Sequence, residues 1–199
     1  LEPGDTATIE FHYQGSIDES THMLDIHPDE YQDYLPLGLY KARKRFAFVQ
    51  GDYVCLTSES LWYPTSGVTY ATKRPAYYQP DFTCFRLQVE TRDDLMAVSQ
   101  GLLTDSTGGT FTYINEQPLP KISLLIGNYE KRSALVDSVE YALYTIKDNA
   151  YYLKEFTHLS DTLPALIREL KNEYESIVDL NYGFKRFALA EVPLNFSLD

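Results

Sequence analysis

The sequence is poor in the residues that build covalent or metal chemistry. Among its 199 residues are two cysteines, four histidines, two methionines and one tryptophan. There is no C-x-x-C and no H-E-x-x-H; His22 and His27 stand five apart with no third ligand in helical register, so the residues give no reason to place a metal ion in this chain. There is no G-x-S-x-G, and neither Cys55 nor Cys84 has a histidine near it in sequence, which removes the usual signs of an activated nucleophile. The same two cysteines sit in β-like runs, and a disulfide between neighbouring strands or a pair of free buried thiols fits them equally. No stretch approaches 18 consecutive apolar residues, the minimum for an apolar spanning helix. Positive charge is scarce: 17 Lys and Arg face 29 Asp and Glu, a net charge of −12. A phosphate backbone or an anionic lipid surface would be repelled, so nucleic acid is not expected as a partner. The acidity serves solubility, or draws in cationic groups such as peptide amino termini.

Aromatic residues are abundant instead, with 17 Tyr and 10 Phe. Tyrosine in such numbers favours strands with one wet face. The stretch from Tyr53 to Gly67 stands out: a β-branched and aromatic run that ends in the corner Trp62-Tyr63-Pro64. Strands are predicted at Thr6–Gln14, Arg43–Gln50, Tyr53–Leu61, Phe82–Glu90, Met96–Leu103, Thr110–Ile114 and Ile122–Gly127. Gly51-Asp52 and Thr107-Gly108-Gly109 read as turns, and Pro118-Leu-Pro120 as a joint. Residues 22–40 and 65–80 read as long irregular excursions; three prolines from 64 to 80 exclude a central strand there.

After residue 127 the character changes. Ser138–Lys147 alternates like a strand. One long helix follows, with Asp161 or Thr162 as cap and Pro164 in its first turn. Leu163, Leu166, Ile167, Leu170, Tyr174, Ile177 and Val178 give it a single apolar face, expected to be buried. Phe184–Val192 is the last strand. The fold class is therefore mainly β with a smaller α/β part: an antiparallel β-sandwich or saddle-like sheet over residues 1–127, then strand-helix-strand over 128–199. A single helix with so few strands needs further surface to pack on.

Several patterns carry a plain reading and a chemical one. Asp18-Glu19, Asp29-Glu30 and Asp93-Asp94 are adjacent acids in turns, which are solvated far more often than they form an acid/base pair. Gly108-Gly109 lacks the lysine and the strand-helix setting of a phosphate loop. The run Lys41 to Arg45 precedes a strand and suits an edge that discourages pairing. Trp62, Tyr63, Tyr70, Tyr77 and Tyr78 gather around one excursion and would suit sugar stacking, though plain packing is the commoner use. The residues alone show no catalytic apparatus.

The order of segments resembles the M1 family of zinc aminopeptidases, and more closely its bacterial branch fused to an ABC-transporter permease. The likeness lies in Leu1-Glu-Pro-Gly-Asp with Ile9-Glu-Phe and Gly15-Ser-Ile-Asp18; in Leu61-Trp62-Tyr63-Pro64, where the family has a Phe-Pro-Cys corner; and in Gln79-Pro-Asp-Phe82 with Leu87-Gln-Val89 and Met96-Ala-Val-Ser99. It continues through Leu119-Pro-Lys-Ile-Ser-Leu-Leu-Ile-Gly127-Asn-Tyr-Glu130 and the helix Leu163–Val178, followed by Asn181-Tyr-Gly-Phe-Lys-Arg-Phe-Ala-Leu-Ala-Glu-Val-Pro193. The resemblance covers nearly the whole chain through weak motifs in a consistent order. The departures follow Pro64, where Thr65-Ser66-Gly67 replaces the family's acidic residues, and nine residues before it, where Cys55 stands in place of a Gln or Glu that helps hold the substrate amino terminus.

The resemblance implies a piece of a longer protein, truncated at both ends, with part of the amino-terminal β domain and the start of the catalytic domain. It implies a parent that removes amino-terminal residues from peptides with zinc, while this chain holds no zinc ligand, no cofactor and no catalytic residue. Cys55, Thr57 and Glu59 are then the substrate-cleft candidates, with Glu59 able to take over amine recognition. The alternative is an extracytoplasmic accessory module of a permease that has lost peptidase activity, with transmembrane segments in the same polypeptide. An extracytoplasmic location goes with this branch of the family, and a cytoplasmic one is the alternative.

Overall fold

Among the described residues, three small sheets stack in three layers, and the middle one is apolar on both faces. The computed structural model describes residues 8–17, 47–60, 62–64, 82–147 and 162–192. The middle sheet has the order β1-β2-β7-β4, all antiparallel, with β1 Ala47–Val49, β2 Tyr53–Leu56, β4 Met96–Ser99 and β7 Leu124–Gly127. The second sheet is β3-β6-β5, with β3 Thr83–Glu90, β5 Leu102–Thr107 and β6 Thr110–Leu119. The third is β10-β9-β8, with β8 Tyr129–Val136, β9 Val139–Ile146 and β10 Arg186–Ala190.

Alternation along the middle strands decides which layer each side chain meets. Ala47, Leu56, Ala97 and Leu124 face the second sheet, where Val89, Phe111 and Tyr113 close one core. Tyr53, Cys55 and Val98 face the third sheet, where Tyr129, Ala142 and Tyr144 close the other. Burial on both faces is why Tyr-Val-Cys-Leu, Met-Ala-Val-Ser and Leu-Leu-Ile-Gly read as continuous apolar runs rather than as alternation.

The chain changes layers at tight corners. Gly101 has φ +84, and a Cβ there would lie 2.6 Å from the Ile114 carbonyl oxygen, so only glycine fits where β4 ends and β5 begins in another sheet. This splits the single strand predicted at Met96–Leu103. The hairpin turn predicted at Thr107-Gly108-Gly109 forms, with Gly108 and Gly109, both at positive φ, as its two loop residues and Thr107 paired to Thr110 in the strands. Asp137 and Ser138 (φ 48 and 67) make the equivalent turn between β8 and β9. Strand β8 is absent from the sequence-based expectations, because Glu130-Lys-Arg-Ser133 masks its alternation. The boundary predicted at 127/128 falls at the single residue between β7 and β8.

Other expectations are corrected. Residues 8–17 form no strand: Ile9, Phe11 and Tyr13 are largely exposed, and no described strand pairs with them. β2 stops at Leu56, because Ser60 turns back to donate from both its amide and its hydroxyl to the Thr57 carbonyl, closing a 3-10 turn over Ser58–Ser60. Pro118 lies within β6, not in a joint; β5 has ended by then, so the proline's missing N–H falls on an open side of the strand. Residues 22–40 and 65–80 lie outside the described residues, as do most of the acids and aromatics singled out there.

The helix forms where predicted, as α1, Leu163–Val178, with Pro164 in its first turn and Asp179 in the left-handed conformation at its end. It links β9 to the parallel strand β10, the crossover that a βαβ unit requires. Its apolar face is not buried as expected. α1 lies along β8 on the half-buried strip Ile167, Lys171 and Glu175, held by an Arg168–Asp137 ion pair of 3.1 Å. Leu166, Leu170, Tyr174 and Ile177 are exposed, Tyr174 at 66% and Ile177 at 70%. Glu175 then steers the chain onward: one carboxylate oxygen accepts from the Tyr182 amide at 2.6 Å and the other meets Lys171 at 3.2 Å.

Arg186, the first residue of β10, joins all three layers. Its side chain is 4% exposed. One terminal nitrogen donates to the carbonyls of Ser99 (2.8 Å) and Gly101 (2.9 Å); the other donates to the Tyr144 hydroxyl at 2.8 Å. The guanidinium lies 5.5 Å from the ring centroids of both Tyr113 and Tyr144, and Glu140, itself paired with Lys131, stands 3.6 Å from Nε. Tyr113 adds a second tie, donating to the Ala97 carbonyl at 2.8 Å. Replacing Arg186 by Met is expected to cost about 3 kcal/mol in urea unfolding, since it leaves the buried Ser99 carbonyl, the part-buried Gly101 carbonyl and the Tyr144 hydroxyl without their donor. Arg186→Lys should recover less than half of this, because an ammonium lacks the planar fork. An R186M protein within about 0.5 kcal/mol of the parent would show that the layers do not depend on the tie.

Candidate functional site

The three cleft candidates lie close together at the end of β2 but in different settings. Cys55 is 7% exposed and sits in the core between the middle and third sheets. It is a free thiol, and burial raises its pKa, a shift the neighbouring Tyr53 hydroxyl partly offsets. Thr57 follows the strand as a half-buried residue whose carbonyl closes the 3-10 turn. Glu59 is the middle residue of that turn. Cys84, by contrast, is exposed and free, its thiol donating to the Glu116 carbonyl at 3.0 Å where β3 and β6 lose register. The two cysteines are therefore unbonded, and only one of them is buried.

The Trp62-Tyr63 corner pins the end of this segment. The two rings meet edge to face at 5.1 Å, and Trp62 packs on the core between the middle and second sheets. Tyr63 accepts from the Ile122 amide at 3.1 Å, and Tyr13 donates to the Trp62 carbonyl at 2.8 Å. These contacts tie the corner to the entrance of β7. The half-buried Trp62 ring serves packing, and Tyr70, Tyr77 and Tyr78 lie outside the described residues.

A groove of about 620 Å³ opens elsewhere, between β10, the β4–β5 corner and the far half of β6. Cys55, Thr57 and Glu59 are not among its lining residues. Its lining is polar and charged as well as apolar: Gln100, Asn115, Gln117 and Arg186 stand beside Glu116, Lys185 and Tyr182, none of which the residues alone marked out as a site. Gln100 accepts from the Ser123 amide through its side-chain oxygen at 2.9 Å. Gln117 donates its side-chain NH2 to the Gly183 carbonyl at 2.6 Å, and Asn115 donates its own to the Gln117 carbonyl. A glycine breaking an apolar strand at Gly101, and an arginine opening one at Arg186, are the sequence signals that could have led here, the first marking a close backbone approach and the second a buried partner. Among the described residues no cluster of His, Cys, Asp and Glu is placed to hold a metal ion, and no helix is long and apolar enough to cross a membrane. The adjacent acids Asp93 and Asp94 sit in a turn, where Arg92 meets Asp94 through two bonds of 3.1 Å, an exposed structural pair.

No protein-family model matches the sequence, and no curated protein matches it. Solved structures do. Aminopeptidase A of Legionella pneumophila, in complex with aspartic acid, matches over 76% of this chain and 18% of its own, with 14% identity and a TM-score of 0.46. An M1 zinc metallopeptidase from Deinococcus radiodurans matches over 75% of this chain and 34% of its own, with 17% identity and a TM-score of 0.47. A mutant of a two-domain M1 zinc metallopeptidase bound to L-tryptophan matches over 58% and 28%, at 18% identity and a TM-score of 0.37. Part of the chain thus resembles, at low identity and low TM-score, portions of M1 zinc metallopeptidases, and it spans well under two thirds of their length.

The buried cluster around Cys55 has a consequence for pH. Burial, then the Tyr129 hydroxyl and the Cys55 thiol, pushes Tyr53 far up, and burial raises Tyr129 to about 12. A group that stays protonated longer when folded contributes stability fully below its unfolded pKa and loses it as pH rises through the folded one. Stability is therefore expected to hold through neutral pH and to fall once the medium passes the ordinary thiol and phenol range, toward pH ~12. Urea midpoints measured across that range should show the fall, and a Cys55→Ala, Tyr53→Phe protein should show a shallower one. Equal slopes in the two proteins would place the alkaline loss elsewhere.

Proposed function

We infer that this chain is a non-catalytic part of an M1-like zinc aminopeptidase, forming scaffold and one wall of the substrate cleft. The observation that carries the reading is the passage from an antiparallel β body, through the segment Leu119–Glu130, into a parallel β9-α1-β10 unit, in the order that the sequence resemblance implies. In the parent, zinc ligands outside this chain would activate a water for attack on the scissile carbonyl. Glu59 would face the substrate ammonium in place of the residue that Cys55 replaces, and Thr57 would position its turn. Peptides are the substrate class, and zinc the cofactor of the parent.

One observation favours a second reading. By the sequence resemblance Cys55 would stand at the amine-binding position, and in the fold it is closed within a core. A chain that has given up that contact fits a binding module attached to a permease, outside the cytoplasm, whose peptidase activity has been lost.

The test is a longer polypeptide that carries the native flanking sequence on both sides. Near-stoichiometric zinc and turnover of aminoacyl fluorogenic amides are expected; a folded protein with neither would favour the module. In the active protein Glu59→Ala should raise KM about tenfold, the loss expected for one hydrogen bond to a charged amine, with a smaller change in kcat. Cys55→Ala should leave KM within about twofold, since a buried thiol does not reach substrate. An unchanged KM for Glu59→Ala would remove Glu59 from the cleft.

A further inference from the structure

We draw no further inference here: the strongest candidate, the exposed apolar stripe of α1 formed by Leu166, Leu170, Tyr174 and Ile177, carries nothing, because nothing in the structure shows what covers it.

Discussion

One buried guanidinium holds the layers in register. Stacked sheets are joined mainly by apolar contact, which has no direction and tolerates sliding. Arg186 supplies the direction: it belongs to the third sheet, ends on two carbonyls at the rim of the middle sheet, and lies between a tyrosine of the second sheet and one of the third. Burying such a charge is costly unless it is paired and bonded; here the two terminal nitrogens make three bonds, two of them to backbone carbonyls whose positions the sheets themselves define, while Nε has no hydrogen-bond partner and only Glu140 at 3.6 Å. The tie therefore works only in one arrangement of the three layers. Lys131 and Glu140 complete the local charge balance, so the cation is neutralised by its own sheet while its hydrogen bonds reach across.

The middle sheet explains why much of the fold was legible. Strands buried on both faces need continuous apolar runs, and β1, β2, β4 and β7 were each recognisable in this way. The hairpin at Gly108-Gly109 and the limits of α1 were equally plain, because glycine pairs and a proline in a first helical turn act locally. What was not legible depended on partners. The alternation from Thr6 to Gln14 is that of a strand, but a strand needs an edge to pair with. The run from Met96 to Leu103 looks uniform, yet Gly101 divides it between two sheets because a carbonyl of β6 passes within contact of its Cα.

The functional region divides in the same way. Cys55, Thr57 and Glu59 came from a resemblance, and the fold brings them to one strand end while burying the first. The groove came from no motif. Its glutamines, asparagine and alanines, and the Glu116, Lys185 and Arg186 beside them, are scattered through the chain and form no motif until the topology sets them around a shared space. The helix offers the reverse lesson: its apolar stripe was correctly read, but not its orientation. The half-buried strip along β8 holds Ile167 together with Lys171 and Glu175, whose charges are spent on each other and on the Tyr182 amide, which holds the Glu175 carboxyl below its ordinary value.

The two cysteines also divide the molecule for anyone who probes it. Cys84 lies open at the irregular junction of β3 and β6, while Cys55 is sealed between the middle and third sheets. A thiol reagent therefore meets one site at once and the other only after those two layers part. The protein carries its own clock for the opening of a single interface, written in the timing of its second modification.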